Sequence, residues 1–208
     1  MPGYILTGSP GAGKTAVLRL LEIGGYVVVE EAATDVIAAE NALGREEPWS
    51  DHGFIDKVIA LQRQRQNSVR AAESVVFFDR SPVCTLALSR YLGLATCPLL
   101  AREVARVVAV GAYETTVFFI RNQGFVRATA ARRISFEDSL VFEQLHEQAY
   151  RDLGFRLVEV PAAPLPDAAL PAAQLTTYGM EERRVRICGQ PRASEGISGE
   201  VAPSVKER

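Results

Sequence analysis

An apolar run, "YILT" at residues 4–7, passes straight into "GSPGAGKT" at 8–15, and a stretch with helical spacing begins at Lys14. No other feature constrains the fold as tightly. Gly8, Gly13, Lys14 and Thr15 satisfy the spacing G-x-x-x-x-G-K-[ST]. A chain of this length meets that spacing by chance about once in a hundred at average residue usage. A strand, a glycine-rich loop and a helix start, in that order, make a phosphate cradle. The glycines let backbone N–H groups point inward, and the helix adds its positive end. Gly8, Ser9, Pro10, Gly11, Ala12, Gly13, Lys14 and Thr15 are thus the expected loop for a nucleoside triphosphate. In such a loop the lysine reaches the β- and γ-phosphates and the threonine ligates Mg²⁺.

Further apolar runs follow: "YVVVE" (26–30), "SVVFFD" (74–79), "TTVFFI" (115–120) and "FRLVEV" (155–160). Their β-branched and aromatic content predicts buried strands. Helical spacing covers 14–23, 33–43, 54–73, 82–93, 98–110 and 136–153. The first of these puts Val17, Leu18 and Leu21 on one face and stops at Gly24-Gly25, a glycine terminus. The last opens with "SFED", a capping serine followed by acidic residues for the positive first turn, and Gly154 closes it. Strands alternating with helices predict an α/β fold with a five-stranded parallel sheet covered on both faces.

With 208 residues, 48% of them apolar, the chain suffices for one such domain plus an appendage. Pro161, Pro164, Pro166 and Pro171 crowd together and spoil any helix or central strand. The expected organisation is a P-loop domain over 1–161, a Pro/Ala-rich linker over 162–175 and a largely disordered tail over 176–208. A net charge of −2 gives no field to attract nucleic acid or an anionic membrane. No stretch has the length of a membrane span, and no signal-like segment opens the chain. Cys84, Cys97 and Cys188 have no metal-like spacing, which fits the reduced thiols of a cytoplasmic protein.

In open parallel sheets, ligands sit at the C-terminal edge of the strands. That edge carries Glu30 and Glu31 after the second strand, and Asp79 and Arg80 after the third. An apolar run ending in aspartate is the pattern of a residue that holds Mg²⁺, here Asp79, against a plain strand-end carboxylate. Arg80 could clamp phosphate or an acceptor, or form a salt bridge beside Asp79. One glutamate could take a proton from an acceptor hydroxyl. Neighbouring strand residues point to opposite faces, so only one can face the site, and Glu31 is the choice. After the fourth strand, "IRNQGFVRATAARRIS" gathers Arg121, Arg127, Arg132 and Arg133. On a mobile segment, these could close over the triphosphate and neutralise transition-state charge, with Arg132 and Arg133 catalytic and Arg127 binding. A solvated basic turn is the alternative.

"GSPGAGKT", "EEAA", "FFDRS" and "ARRISFEDSLVFEQLHEQAYRDLGFRLVEVP" together resemble the AAA-type P-loop domain shared by the NadR ribosylnicotinamide kinase and the translocation-defect GTP-binding proteins. "FFDRS" is also similar to the acidic-arginine-serine element of deoxynucleoside kinases. The resemblance runs over residues 3–161. It implies a P-loop NTPase fold of nucleoside/nucleotide-kinase type, with the third strand beside the P-loop strand, which supports Asp79 at the metal. It also implies ATP or GTP binding and, in some members, phosphoryl transfer to a small hydroxyl-bearing molecule. The proline-rich stretch past 161 has no counterpart in the family. No helical lid domain follows the sheet, which disfavours a hexameric motor. No N-K-x-D tetrad is present, so ATP is favoured and GTP is the alternative.

Two functions remain. One is a phosphotransferase moving the ATP γ-phosphate to a nucleoside-like acceptor, with Lys14 and the arginines on phosphate, Thr15 and Asp79 on Mg²⁺, and Glu31 as base. The other is a slow nucleotide-hydrolysing regulator with a protein partner, which would give the tail a role. Trp49 is expected to pack between helices or to stack on an acceptor ring. His52 is expected in a loop, His146 on the surface or satisfied in the core, and "QRQRQNSVR" (62–70) on a solvated helix face.

Overall fold

Strand β1 (Gly3–Thr7) is buried along its whole length, as a strand with neighbours on both edges and helices on both faces must be. It is the centre of one sheet with β2 (Val27–Val29), β3 (Val76–Asp79), β4 (Thr116–Ile120) and β5 (Arg156–Val160). The order is β2-β3-β1-β4-β5, and every pair is parallel. The computed structural model describes residues 3–51, 53–69, 75–126 and 134–162. The linker past 162, the tail, Cys188, His52, Arg127, Arg132 and Arg133 lie outside the described residues.

Side-chain alternation along β1 divides the core. Tyr4 and Leu6 pack with Phe77, Phe118 and the apolar face of α1 (Lys14–Ile23), where Val17, Leu18 and Leu21 are buried. Each of those three contributes about 1.5–3 kcal/mol by leaving water. Ile5 points the other way, into a cluster with Phe78, Val83, Val107, Phe142 and Tyr150. These come from β3, α4 (Pro82–Tyr91), α5 (Pro98–Ala109) and α6 (Phe136–Asp152). A further cluster joins α2 (Ala32–Ala42) and α3 (Phe54–Ser68) to α4 and α5 through Ile37, Phe54, Val58, Leu86 and Leu100. Ser81 and Ser135 cap α4 and α6, accepting from the N–H groups of Val83 at 3.2 Å and Asp138 at 3.0 Å, as side-chain oxygens do at helix starts.

The strand and helix assignments stand within a few residues, with three differences. Helix α3 ends at Ser68 rather than at 73, because Val69 is extended. The Ser68 hydroxyl donates to the Arg65 carbonyl at 2.8 Å, a local bond that competes with helix continuation. Strand β2 stops at Val29, so Glu30 and Glu31 lie in the turn into α2 and not in the strand. Pro48–Ser50 form a 3₁₀ turn that carries Trp49. Among the described residues no helix is long and apolar enough to cross a membrane.

Candidate functional site

The parallel register sets Leu6 against Asp79, and the Arg80 N–H continues the ladder by donating to the Leu6 carbonyl at 3.0 Å. The end of β3 therefore lies beside the chain where it enters the glycine loop. Gly8 has φ 138°, and a β-carbon there would run into the carbonyl of Ile120 on β4, so only glycine fits. Gly13, left-handed at φ 92°, starts α1, and no side chain caps that helix. Its first N–H groups are thus left to an anion from outside the helix.

Lys14 is buried, and its Nζ donates to the carbonyls of Ser9 at 3.0 Å and Gly8 at 3.3 Å. Burial, with help from the Arg80 charge, pulls the ammonium down to a pKa of about 8, and Asp79 and Glu31 offset only part of this. Thr15 is exposed on the cavity described below. Asp79 is 7% exposed, and its Oδ1 has no hydrogen-bond partner among the described residues. Burial pushes its pKa up to about 6, against the pull of Lys14.

Glu31 directs its side chain into the site. Its Oε1 meets Arg80 Nε at 2.5 Å, and its Oε2 accepts from Thr34 Oγ1 at 3.0 Å. Burial alone would raise its pKa, but the charges of Arg80 and Lys14 prevail and hold it below the ordinary glutamate value. Glu30 turns outward to pair with Arg19. Arg65 fixes the turn between them by donating to both the Glu30 and Glu31 carbonyls at 2.9 Å. The 62–70 face is therefore not simply solvated, since Gln62 also accepts from Thr85 Oγ1 at 3.1 Å.

Arg80 pairs with Glu31 rather than with Asp79, and its guanidinium is held from a second side. Its Nη1 lies 2.8 Å from His146 Nε2, while His146 Nδ1 lies 2.8 Å from the Phe142 carbonyl. A carbonyl only accepts, so Nδ1 carries the proton and Nε2 accepts from Arg80. His146 is wholly buried, and that burial, followed by the Arg80 charge, drives its pKa well below 6.5. Sequence reasoning allowed for a satisfied histidine but not for one attached to the site. The available signal was its place one turn after Phe142, on the inner face of α6.

Lys14, Thr15, Glu31 and Arg80 meet at a cavity of about 460 Å³. Its lining takes in Pro10, Gly11, Gly13, Lys14 and Thr15 of the loop, together with Glu31 and Arg80. The remaining wall encloses an apolar chamber formed by Ile37, Trp49, Phe54, Leu88, Tyr91 and Phe142, with Gln62, Thr34 and Thr85 as its polar points. Trp49 faces this chamber, although it also packs with the α2–α3 cluster. Arg121 does not join the site. It is ion-paired with Glu143 at 3.1 Å, Glu159 at 2.5 Å and Glu147, and it lies over the Phe119 ring. Three carboxylates on α6 and β5 hold it away from a triphosphate.

The chain matches the family described as AAA domain over residues 3–167. It belongs to that AAA domain family. Its five-stranded parallel sheet and glycine loop make the AAA domain a P-loop NTPase domain of the nucleotide-binding kind. No curated protein matches the chain. The donor set of this AAA domain fits a hard divalent cation beside phosphate. Asp79 Oδ1 and Ser9 Oγ are buried without partners among the described residues, and the Thr15 hydroxyl is accessible. Hydroxyl and carboxylate oxygens are what Mg²⁺ takes.

Proposed function

We propose that the domain transfers the γ-phosphate of ATP to a hydroxyl of a small, nucleoside-like molecule bound in the chamber. One observation carries this reading: the phosphate loop, the Glu31–Arg80 pair and an apolar chamber line a single cavity. A hydrolase needs room only for water, whereas a chamber lined by Trp49, Phe54 and Tyr91 suits the flat or apolar body of a second substrate. Lys14, which serves the γ-phosphate end of a bound triphosphate, lines the same cavity as the chamber.

Each residue has a role in this reading. Backbone N–H groups of residues 8–15 and the Lys14 ammonium hold the phosphates, and Arg80 meets the transferring group. Thr15 and Asp79 hold Mg²⁺, which neutralises charge on the phosphate oxygens when bound. Glu31, ionised because Arg80 and Lys14 lower its pKa, takes the proton of the acceptor hydroxyl. That oxygen bonds to γ-phosphorus, the bond to the bridging oxygen breaks, and ADP leaves. Arg127, Arg132 and Arg133 complete the charge neutralisation from the segment after β4. Resemblance to the NadR kinase domain and the deoxynucleoside kinases supports the same acceptor class.

The regulatory reading has one observation in its favour: Glu31 is engaged by Arg80 and Thr34, as suits a slow hydrolase. The two part in one experiment. ATP consumption is measured with and without a panel of nucleosides and other small hydroxyl compounds, and products are identified by mass. A phosphorylated acceptor supports transfer. Unstimulated hydrolysis across the panel, with nucleotide-dependent capture of a protein partner, supports the regulator.

A further inference from the structure

Arg80 is the only non-glycine residue with a left-handed backbone among the described residues, at φ 74°. A side-chain-bearing residue adopts that conformation only where its surroundings impose it. Three contacts do so: its N–H to the Leu6 carbonyl at 3.0 Å, Nε to Glu31 at 2.5 Å, and Nη1 to His146 Nε2 at 2.8 Å. The side chain is 9% exposed, and it lines the same cavity as the phosphate loop and the chamber. The third contact is unusual, because an arginine in a site rich in carboxylates leans on an imidazole.

Resting on the reading of Arg80 as a phosphate-meeting group, we propose that His146 is its positioning residue. The neutral imidazole, fixed by Nδ1–H to the Phe142 carbonyl, holds the guanidinium through Nε2 and aims it at the γ-phosphate position.

The choice of imidazole follows from charge. A second carboxylate beside Arg80 would neutralise the guanidinium and compete with phosphate for its donors. A neutral acceptor orients the group and leaves its charge for the ligand. Helix α6 supplies this acceptor from behind. Phe142 gives its carbonyl to His146 and its ring to the chamber wall, tilted against Tyr91 with centroids 4.8 Å apart. Orientation of Arg80 is thus tied to the wall of the proposed acceptor site by one helical turn.

The test is a double-mutant cycle on MgATP binding, by calorimetric titration of the full chain with Arg80→Gln, His146→Leu and the pair. His146→Leu is expected to weaken MgATP roughly tenfold, the scale of a lost charge-assisted hydrogen bond. In the Arg80→Gln background it should weaken binding no further. His146→Gln, which can place an acceptor where Nε2 stood, should bind within about threefold of wild type. A similar loss from His146→Leu in both backgrounds would assign the histidine to packing alone and overturn the proposal. So would unchanged affinity in either His146→Leu or Arg80→Gln. If His146→Leu does not fold, His146→Asn replaces it. Asparagine reaches only the Nδ1 position, so it should weaken MgATP roughly tenfold as His146→Leu would, and equality with His146→Gln overturns the proposal. The titration reads nucleotide binding without an acceptor, so its outcome is separate from whether phosphotransfer occurs.

Discussion

Lys14 Nζ lies 3.0 Å from the carbonyl oxygen of Ser9, so the ammonium that the motif reserves for phosphate also closes its own loop. That ammonium is buried with carbonyls as its hydrogen-bond acceptors, and its pKa falls to about 8. A charge in that position costs stability until phosphate meets it.

Lys14→Met is therefore expected to abolish thermal stabilisation by MgATP without lowering the melting temperature of the ligand-free protein. The sign of the pH effect follows from the shift. The unfolded lysine titrates near 10.5 and the folded one near 8, so between those values the unfolded chain binds more protons and stability rises with pH. The penalty is full below pH 8 and fades toward 10.5. Melting curves of wild type should show that rise, and those of Lys14→Met should lack its contribution. Equal MgATP stabilisation of the two proteins would remove Lys14 from the nucleotide site.

The sheet and its helices were legible in the sequence because buried parallel strands are nearly continuous apolar runs, as "VVFFD" and "TVFFI" are. The loop was legible because Gly8 and Gly13 answer to backbone geometry that no other residue tolerates as easily. Contacts between distant segments were not. The attachment of His146 to Arg80 spans 66 residues, and its place one turn after Phe142 on the inner face of α6 signals burial but not that partner. Arg121 looked like a member of an arginine lid until three carboxylates from α6 and β5 claimed it. Strand alternation points to Glu31, yet the strand ends two residues earlier, and Arg65 on α3 fixes the turn that orients it.

Asp79 gives a test in the opposite pH range. Its folded pKa is raised from 3.8 to about 6, so the native state binds more protons between those values and stability falls as pH rises through them. Above pH 6 the buried carboxylate carries its full penalty. Ligand-free Asp79→Asn should be more stable than wild type at pH 7 by roughly 2–3 kcal/mol. That gain should vanish near pH 4. The same variant should lose the Mg²⁺-dependent part of ATP stabilisation. Denaturant titrations at both pH values, and melting with ATP in Mg²⁺ or in chelator, measure the two effects. If Asp79→Asn keeps the Mg²⁺ dependence, the cation is held elsewhere.

The loop glycines should differ in what they tolerate. Gly11→Ala faces a left-handed φ of 87° with its nearest neighbour 3.6 Å away, in Val126, so strain alone applies, about 1–2 kcal/mol. Gly8→Ala adds a collision with the Ile120 backbone, which cannot rotate aside as a side chain would. It should displace the loop from β4 and destabilise the protein well beyond Gly11→Ala in chemical denaturation. Comparable losses in the two variants would mean that the loop shifts freely against β4.

Glu31 lies where base catalysis and charge balance make separate predictions. As the base, its replacement by glutamine should cut transfer to an acceptor by roughly 10²–10⁴-fold. As the ion-pair partner of Arg80 and a neighbour of Lys14, its charge competes with phosphate for both. Removing that charge while keeping the side-chain shape should leave MgATP binding intact or tighten it by about threefold. A fall in turnover with unchanged or stronger nucleotide binding is the signature of a group that acts on the acceptor. The comparison uses the acceptor found in the small-molecule panel, with titration of MgATP on the same preparation. Weakened MgATP binding with transfer retained would place Glu31 on the nucleotide side and leave the acceptor hydroxyl to another base.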